Sequence, residues 1–171
     1  MKEAPQQKLK TTGDKMTKAK AISSLRTAGT FLTIGTCSET SCHVLNSAFN
    51  NQLTLEEHAI APMAGGIKQH GYQCGLLWGA VLAAGAETYN RYGAGPQAET
   101  RAVYAAQKLV DSFTAQNGTI NCLEITEIDK SSTTWQMINY FLIKGGTAGC
   151  IRRAVKYARQ AHKEINDALS E

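Results

Sequence analysis

Proline is scarce in this chain, three in 171 residues, and aromatic and charged side chains stand at only 7% and 19%. So little proline, with no Gly-x-y period among 15 glycines, excludes a collagen-like chain, and 43% hydrophobic residues exclude a wholly disordered one. Long apolar runs are missing. The longest, Cys74 to Ala86, has 13 residues, where a membrane span needs roughly 20. There is no Cys-x-x-Cys, which removes zinc-ribbon and common ferredoxin spacings, and no Cys-x-x-Cys-His for covalent haem. Gly65-Gly66 and Gly145-Gly146 lack both a preceding strand and the Gly-Lys-Ser/Thr ending of a phosphate loop. No Ser-His-Asp order or paired carboxylates stand out, so hydrolysis has no support.

The net charge of +4 is unevenly placed. Residues 1–26 hold seven bases (Lys2, Lys8, Lys10, Lys15, Lys18, Lys20, Arg26) against two acids (Glu3, Asp14), which leaves the other 145 residues at −1. Basicity confined to a leader argues against a nucleic-acid-binding face, which carries its charge on structured surface. The start has no apolar stretch behind a short basic region and no twin arginine, so no signal peptide is expected. The expectation is a cytoplasmic protein without membrane insertion.

Residues 1–13 read as a flexible basic tail. From Asp14 the pattern turns helical, with Met16, Ala19, Ile22, Leu25 and Phe31 on one face. A second helix is expected near Ser38, buried through Val44, Leu45, Ala48 and Phe49. Thr54 and Glu57 have the spacing of a capping box that starts a third, ended by Pro62 and Gly65-Gly66. Cys74 to Arg91 is apolar on nearly all sides, as a central helix is. Its Gly75, Gly79 and Gly85 each lower helix propensity by about 1 kcal/mol, which points to close approach by another helix or a cofactor. Pro96 suits the first position of a helix that Gly118 stops. Ser131 or Ser132 is expected to cap a helix through Trp135, Ile138, Phe141 and Leu142, and Thr147 a last helix through Ile151, Val155, Ala158, Ala161, His162 and Ile165. Trp78, Trp135, Tyr72 and Tyr89 read as core and interface aromatics. No strand alternation is long enough to name. The expected fold is all-α, a compact single-domain bundle of about six to eight helices.

Five cysteines are too few for a disulfide-dense scaffold, and the count is odd. Cys37, Cys74, Cys122 and Cys150 each follow a glycine-marked break at or near the start of a helical pattern. There, unpaired N–H groups and the macrodipole stabilise negative charge and lower a thiol's pKa. Four such sulfurs suit a [2Fe–2S] cluster, a Zn²⁺ ion, or a metal-free dithiol–disulfide pair. Buried inert thiols have the same spacing, since free cysteine is among the most buried residue types.

Phe31 to Glu39 (FLTIGTCSE), Ala64 to Gly79 (AGGIKQHGYQCGLLWG), Phe113 to Leu123 (FTAQNGTINCL) and Gly149-Cys150 with its helix resemble, in order, the redox-active protein family named for its C_GCAxxG_C_C cysteine pattern. The most specific parts are Cys74-Gly75-x-x-x-Gly79 and Asn121-Cys122. Alanine is usual after Cys-Gly where this chain has Leu76, and Trp78 is a bulky occupant of a variable position. The resemblance implies an all-helical domain over residues 14–171 with four functional cysteines. A similar domain occurs beside the haem-binding part of split-Soret cytochromes, associated with an iron–sulfur cluster. It implies a [2Fe–2S] cofactor held by Cys37, Cys74, Cys122 and Cys150, with Cys42 as the alternative to Cys37. An electron-transfer or redox-sensing protein is then expected, working with a redox partner protein and possible as a homodimer; the alternatives are a thiol–disulfide oxidoreductase and a structural zinc module. Among His43, His58, His70 and His162, His70 stands out, four residues before Cys74 in a glycine-rich approach, where it could tune a cluster or donate a proton. Arg152 and Arg153 sit in the first turn after Cys150, where an anionic centre would offset their unfavourable place on the helix dipole.

Overall fold

The computed structural model describes residues 21–143 and 145–171. The expected tail and the helical start at Asp14 lie outside the described residues. The architecture is all-α, as expected: α1 Ser24–Ile34, α2 Cys37–Phe49, α3 Thr54–Ala59, α4 Gly75–Tyr92, α5 Pro96–Asn117, α6 Cys122–Thr126, α7 Thr134–Leu142 and α8 Gly146–Ser170. Between α3 and α4 lie a 3₁₀ turn, Ala61–Met63, and a turn, Ala64–Ile67, whose Gly65 and Gly66 are left-handed.

Helix limits follow local chemistry. Gly35, at φ +83°, ends α1 and lets its N–H reach the Phe31 carbonyl, so α2 starts two residues later. Pro96 opens α5 at its first position and Gly118, left-handed, closes it. Three expected caps differ. Thr54 makes no capping box, because Glu57 is drawn away to His43 and Asn46 of α2. Thr133, not Ser131 or Ser132, caps α7 in a reciprocal pair with Gln136. Gly145, not Thr147, precedes α8.

Helix α4 is central. It packs on α2 along one side and α5 along the other, and α8 closes the bundle against α1, α2 and α5. Its Leu76, Leu77, Ala80, Ala83 and Ala84 are buried, and α8 supplies Ala154, Tyr157, Ala161 and Ile165 at helical spacing. The Tyr157 ring meets Phe113 edge-on at 4.7 Å, and its hydroxyl donates to the Leu109 carbonyl at 3.0 Å, so the buried polar end is satisfied.

The glycines of α4 divide. A Cβ on Gly79 would lie 2.8 Å from the Cys42 backbone nitrogen and 2.8 Å from Ser41 Cβ, so this glycine permits the α2–α4 approach. Ser41 Oγ fixes that approach by donating to the Leu76 carbonyl at 2.8 Å. Gly75 clears Cys37, whose Sγ would be 2.6 Å from an added Cβ. Gly85 faces open space, against expectation. Leu25 of α1 is exposed as well, and that helix buries Thr27 and Phe31. Trp135, Tyr72 and Tyr89 are exposed in the single chain, so none of the three is a core aromatic.

Candidate functional site

Two cysteines are brought together by main chain. The segment before α4 and the segment before α6 pair antiparallel at Gln73 and Asn121, the single bridge among the described residues. Cys74 N–H donates to the Ile120 carbonyl at 2.8 Å, Cys122 N–H to the Tyr72 carbonyl at 2.7 Å, and Leu123 N–H to the Gly71 carbonyl at 2.9 Å. Gly71, at φ +82°, is needed for this pairing because a Cβ there would sit 2.5 Å from Leu123 Cβ. Cys74 is thereby the N-cap of α4 and Cys122 the first residue of α6.

The other two arrive by helix starts. Cys37 is the first residue of α2, and Cys150 lies one turn into α8. All four line one cavity of about 530 Å³, together with Lys68, Tyr140, Met137, Thr126 and Arg153. A cavity of that size is in the range of small-ligand sites. Among the described residues neither a carboxylate nor an imidazole lines it.

Its near wall has an uncommon backbone. Gly65, Gly66, Ile67, Lys68 and Gln69 all have positive φ, between 48° and 66°. Each non-glycine residue in that region costs about 1–2 kcal/mol. The turn is held by Lys68 N–H to the Pro62 carbonyl, Tyr72 N–H to the Gly66 carbonyl and Lys130 N–H to the Gln69 carbonyl. One consequence is that the Gly65 N–H hydrogen-bonds the Cys37 thiol. Strain held by surrounding bonds next to reactive groups is common at functional sites.

The thiols are not equivalent. Cys74 donates to Cys122, which raises the Cys74 thiol well above its ordinary range, with burial adding to the effect. Cys122 moves the other way, down to about 7, through that hydrogen bond, the Thr126 hydroxyl and the Arg153 charge. Burial pushes Cys37 up to about 11, outweighing the Gly65 N–H. Cys122 is lowered by neighbouring groups and not by its helix end, and Cys37 and Cys74 are raised, because desolvation and side-chain contacts are larger than the helix-end effect. Tyr140 Oη lies 3.4 Å from Cys150 Sγ, and burial followed by this contact raises its hydroxyl.

Cys42 stands apart. Five residues on from Cys37, it points roughly 140° around the helix, and it does not line the cavity. It is fully buried, accepts from Asn46 Nδ2 at 3.4 Å, and is pushed up to about 12 by burial and the Glu57 carboxylate. His70 is also outside the cavity lining, stacked on Tyr72 with Lys130 Nζ 3.3 Å from its Nε2. Of the two arginines, Arg153 lines the cavity and Arg152 does not. Tyr140, Met137 and Thr126 had no signal in the sequence, since none lies in a motif with a cysteine; Lys68 lies in the Ala64 to Gly79 motif with Cys74, where nothing in its spacing marked it out.

Among the described residues no three His, Cys, Asp or Glu side chains converge as one metal ion would require. The donor set nonetheless suits a thiolate-bound cluster: four soft sulfurs, two basic side chains and backbone or hydroxyl donors to Cys37 and Cys122. Gly75 leaves the room that Cys37 occupies. Among the described residues no helix is long and apolar enough to cross a membrane. Residues 35–162, three quarters of the chain, match the family described as "Putative redox-active protein (C_GCAxxG_C_C)". Comparison with curated proteins and with solved structures returned no match.

Proposed function

Because the chain belongs to this redox-active family, we propose that it holds a [2Fe–2S] cluster through Cys37, Cys74, Cys122 and Cys150 and exchanges electrons with a partner protein. The observation that carries this reading is that four thiols, from four different helices, line one cavity that, among the described residues, no carboxylate or imidazole enters. A two-iron cluster takes two thiolates at each iron, so it calls for neighbouring pairs and not for three ligands around one point. Cys74 and Cys122, brought side by side by the main-chain bridge, supply one pair; Cys37 and Cys150, the other two thiols lining the cavity, supply the other. When bound, the cluster supplies a one-electron couple. The chain's own groups act around the sulfurs: the Gly65 N–H on Cys37 and Arg153 as the countercharge beside Cys122, whose carbonyl accepts from the Thr126 hydroxyl at 2.8 Å. Donors and cations around a cluster favour its more negative, reduced form. Five unpaired thiols suit a reducing, cytoplasmic compartment.

The test is iron and acid-labile sulfide content, with an absorption spectrum, on protein purified without oxygen. About two irons and two sulfides per chain are expected, lost on Cys74→Ser and retained on Cys42→Ser. Colourless, iron-free protein after anaerobic reconstitution overturns the reading. A dithiol–disulfide reading has its own support in the Cys74 thiol donating to Cys122, whose thiolate is available near neutral pH. In that case an oxidised partner disulfide accepts two electrons and two protons as the Cys74–Cys122 bond forms. A reductant-reversible disulfide between these two residues, mapped by mass spectrometry in iron-free protein, distinguishes it.

A further inference from the structure

We propose that a second copy of this chain packs on the outer face of α7, making the protein a two-fold homodimer. This does not rest on the cluster reading. Helix α7, Thr134–Leu142, forms a wall of the cysteine cavity through Met137 and Tyr140, three residues apart. Its other face carries Trp135, Ile138 and Leu142 at i, i+3 and i+7, the spacing of a seam that packs against another helix. Among the described residues little covers that seam: Trp135 is 76%, Ile138 42% and Leu142 79% exposed, and Ile143 just beyond it 78%. The helix has no side chain in the buried class among its described residues.

A nine-residue helix does not hold in water by propensity alone, since isolated helices below about 12–15 residues are marginal. Its reciprocal cap, Thr133 with Gln136, secures one end only. Burial of the seam is the missing contribution.

Area and charge select the occupant. At about 200 Å² for each large side chain, the four exposures leave roughly 500 Å² of apolar surface per copy, at the top of what monomers usually present. Doubled about a two-fold axis, that is about the 1,000 Å² that separates an interface from a chance contact. Thr134 to Leu142 contains no charged residue, so the face neither repels its own copy nor selects a charged partner. A two-fold interface requires this self-complementarity.

The test uses the full chain as purified, with mass by light scattering and sedimentation over a range of concentrations. A particle of twice the 18.5 kDa chain mass is expected. Trp135→Glu, and separately Leu142→Glu, should weaken dimerisation at least tenfold, with an unchanged helical circular dichroism spectrum. Val103→Glu, an exposed apolar position on α5, should leave it intact. The proposal is overturned by a monomer at all concentrations, or by a dimer that both α7 variants leave unchanged. It is equally overturned by a monomer whose Trp135 fluorescence shifts blue only on phosphatidylglycerol vesicles, since the face then belongs to a lipid surface. If a substituted chain fails to fold, disulfide trapping of Ile138→Cys between copies decides the same point: trapping supports the dimer, and its absence overturns it.

Discussion

Two glycines on one helix give opposite expectations for the same substitution. Alanine at Gly79 places a Cβ 2.8 Å from the Cys42 backbone nitrogen and from Ser41 Cβ, and closer still to the Ser38 carbonyl oxygen. Carbon contacts settle at about 3.5–4.0 Å, so α2 has to retreat from α4 by about 1 Å. Backbone atoms cannot rotate aside as a side chain can. Overpacking of this kind costs about 1–3 kcal/mol and sometimes more. The retreat also stretches the 2.8 Å bond from Ser41 Oγ to the Leu76 carbonyl, worth about 1 kcal/mol. Alanine returns about 1 kcal/mol of helix propensity, which offsets the lost bond and leaves a net loss of about 1–3 kcal/mol. Alanine at Gly85 meets nothing within 4 Å and keeps only the propensity gain. For a chain of this length each kcal/mol moves Tm by about 2–4 °C, so Gly79→Ala should melt roughly 2–12 °C lower and Gly85→Ala roughly 2–4 °C higher. Thermal unfolding followed by far-ultraviolet circular dichroism gives both shifts. A Gly79→Ala protein as stable as the parent refutes the close approach of α2 and α4.

Gly75→Ala puts a methyl 2.6 Å from Cys37 Sγ and 3.2 Å from Ala64 Cα; it should cut bound iron at least several-fold while the helical spectrum persists, as metal analysis will read. Cys42→Ala removes a buried sulfur from outside the cavity, so about 1 kcal/mol of stability should go, by urea unfolding, with iron content unchanged. In iron-free protein, iodoacetamide at pH 7 should modify Cys122 before Cys37 or Cys42, with its rate rising through about pH 7, since Cys37 and Cys42 stay protonated to about 11 and 12; equal labelling at pH 7 contradicts the assignment. The raised Cys37 and Cys42 values also set a sign for stability. Their contribution is complete below the unfolded thiol value of 9.0 and is lost as pH rises from there through about 11 and 12, because the unfolded thiols ionise first; urea unfolding of the same protein between pH 8 and 12 reads it.

Much of the fold was legible because helix limits are local. Gly35, Pro96 and Gly118 act within a few residues of themselves, and the structure ends or begins helices at each. Features that depend on distant partners were misread. The Thr54 and Glu57 spacing resembles a cap, yet His43 and Asn46, from another helix, compete for the Glu57 carboxylate at 2.8 and 3.0 Å. The periodic apolar residues of α7 gave the helix, but periodicity reports only that a face is apolar, not what covers it, and Trp135, Ile138 and Leu142 are exposed in the single chain. The left-handed turn showed only its two glycines, since Ile67, Lys68 and Gln69 rarely adopt such φ and hold it here through long-range hydrogen bonds.

By itself the sequence determined an all-α chain, the family pattern, and the places where cysteines fall near helix starts. It also held the reason that Cys37 and Cys42 cannot both face one site, since five residues on a helix turn the side chain to another side. Tertiary structure alone decided that Cys37 lines the cavity and Cys42 does not. It alone placed Cys74 beside Cys122, nearly fifty residues on, by a main-chain bridge that leaves no trace in either segment's composition. And it set the direction of the Cys37, Cys74 and Cys122 shifts, because burial and neighbouring groups outweigh the helix-end field that position along the chain reveals.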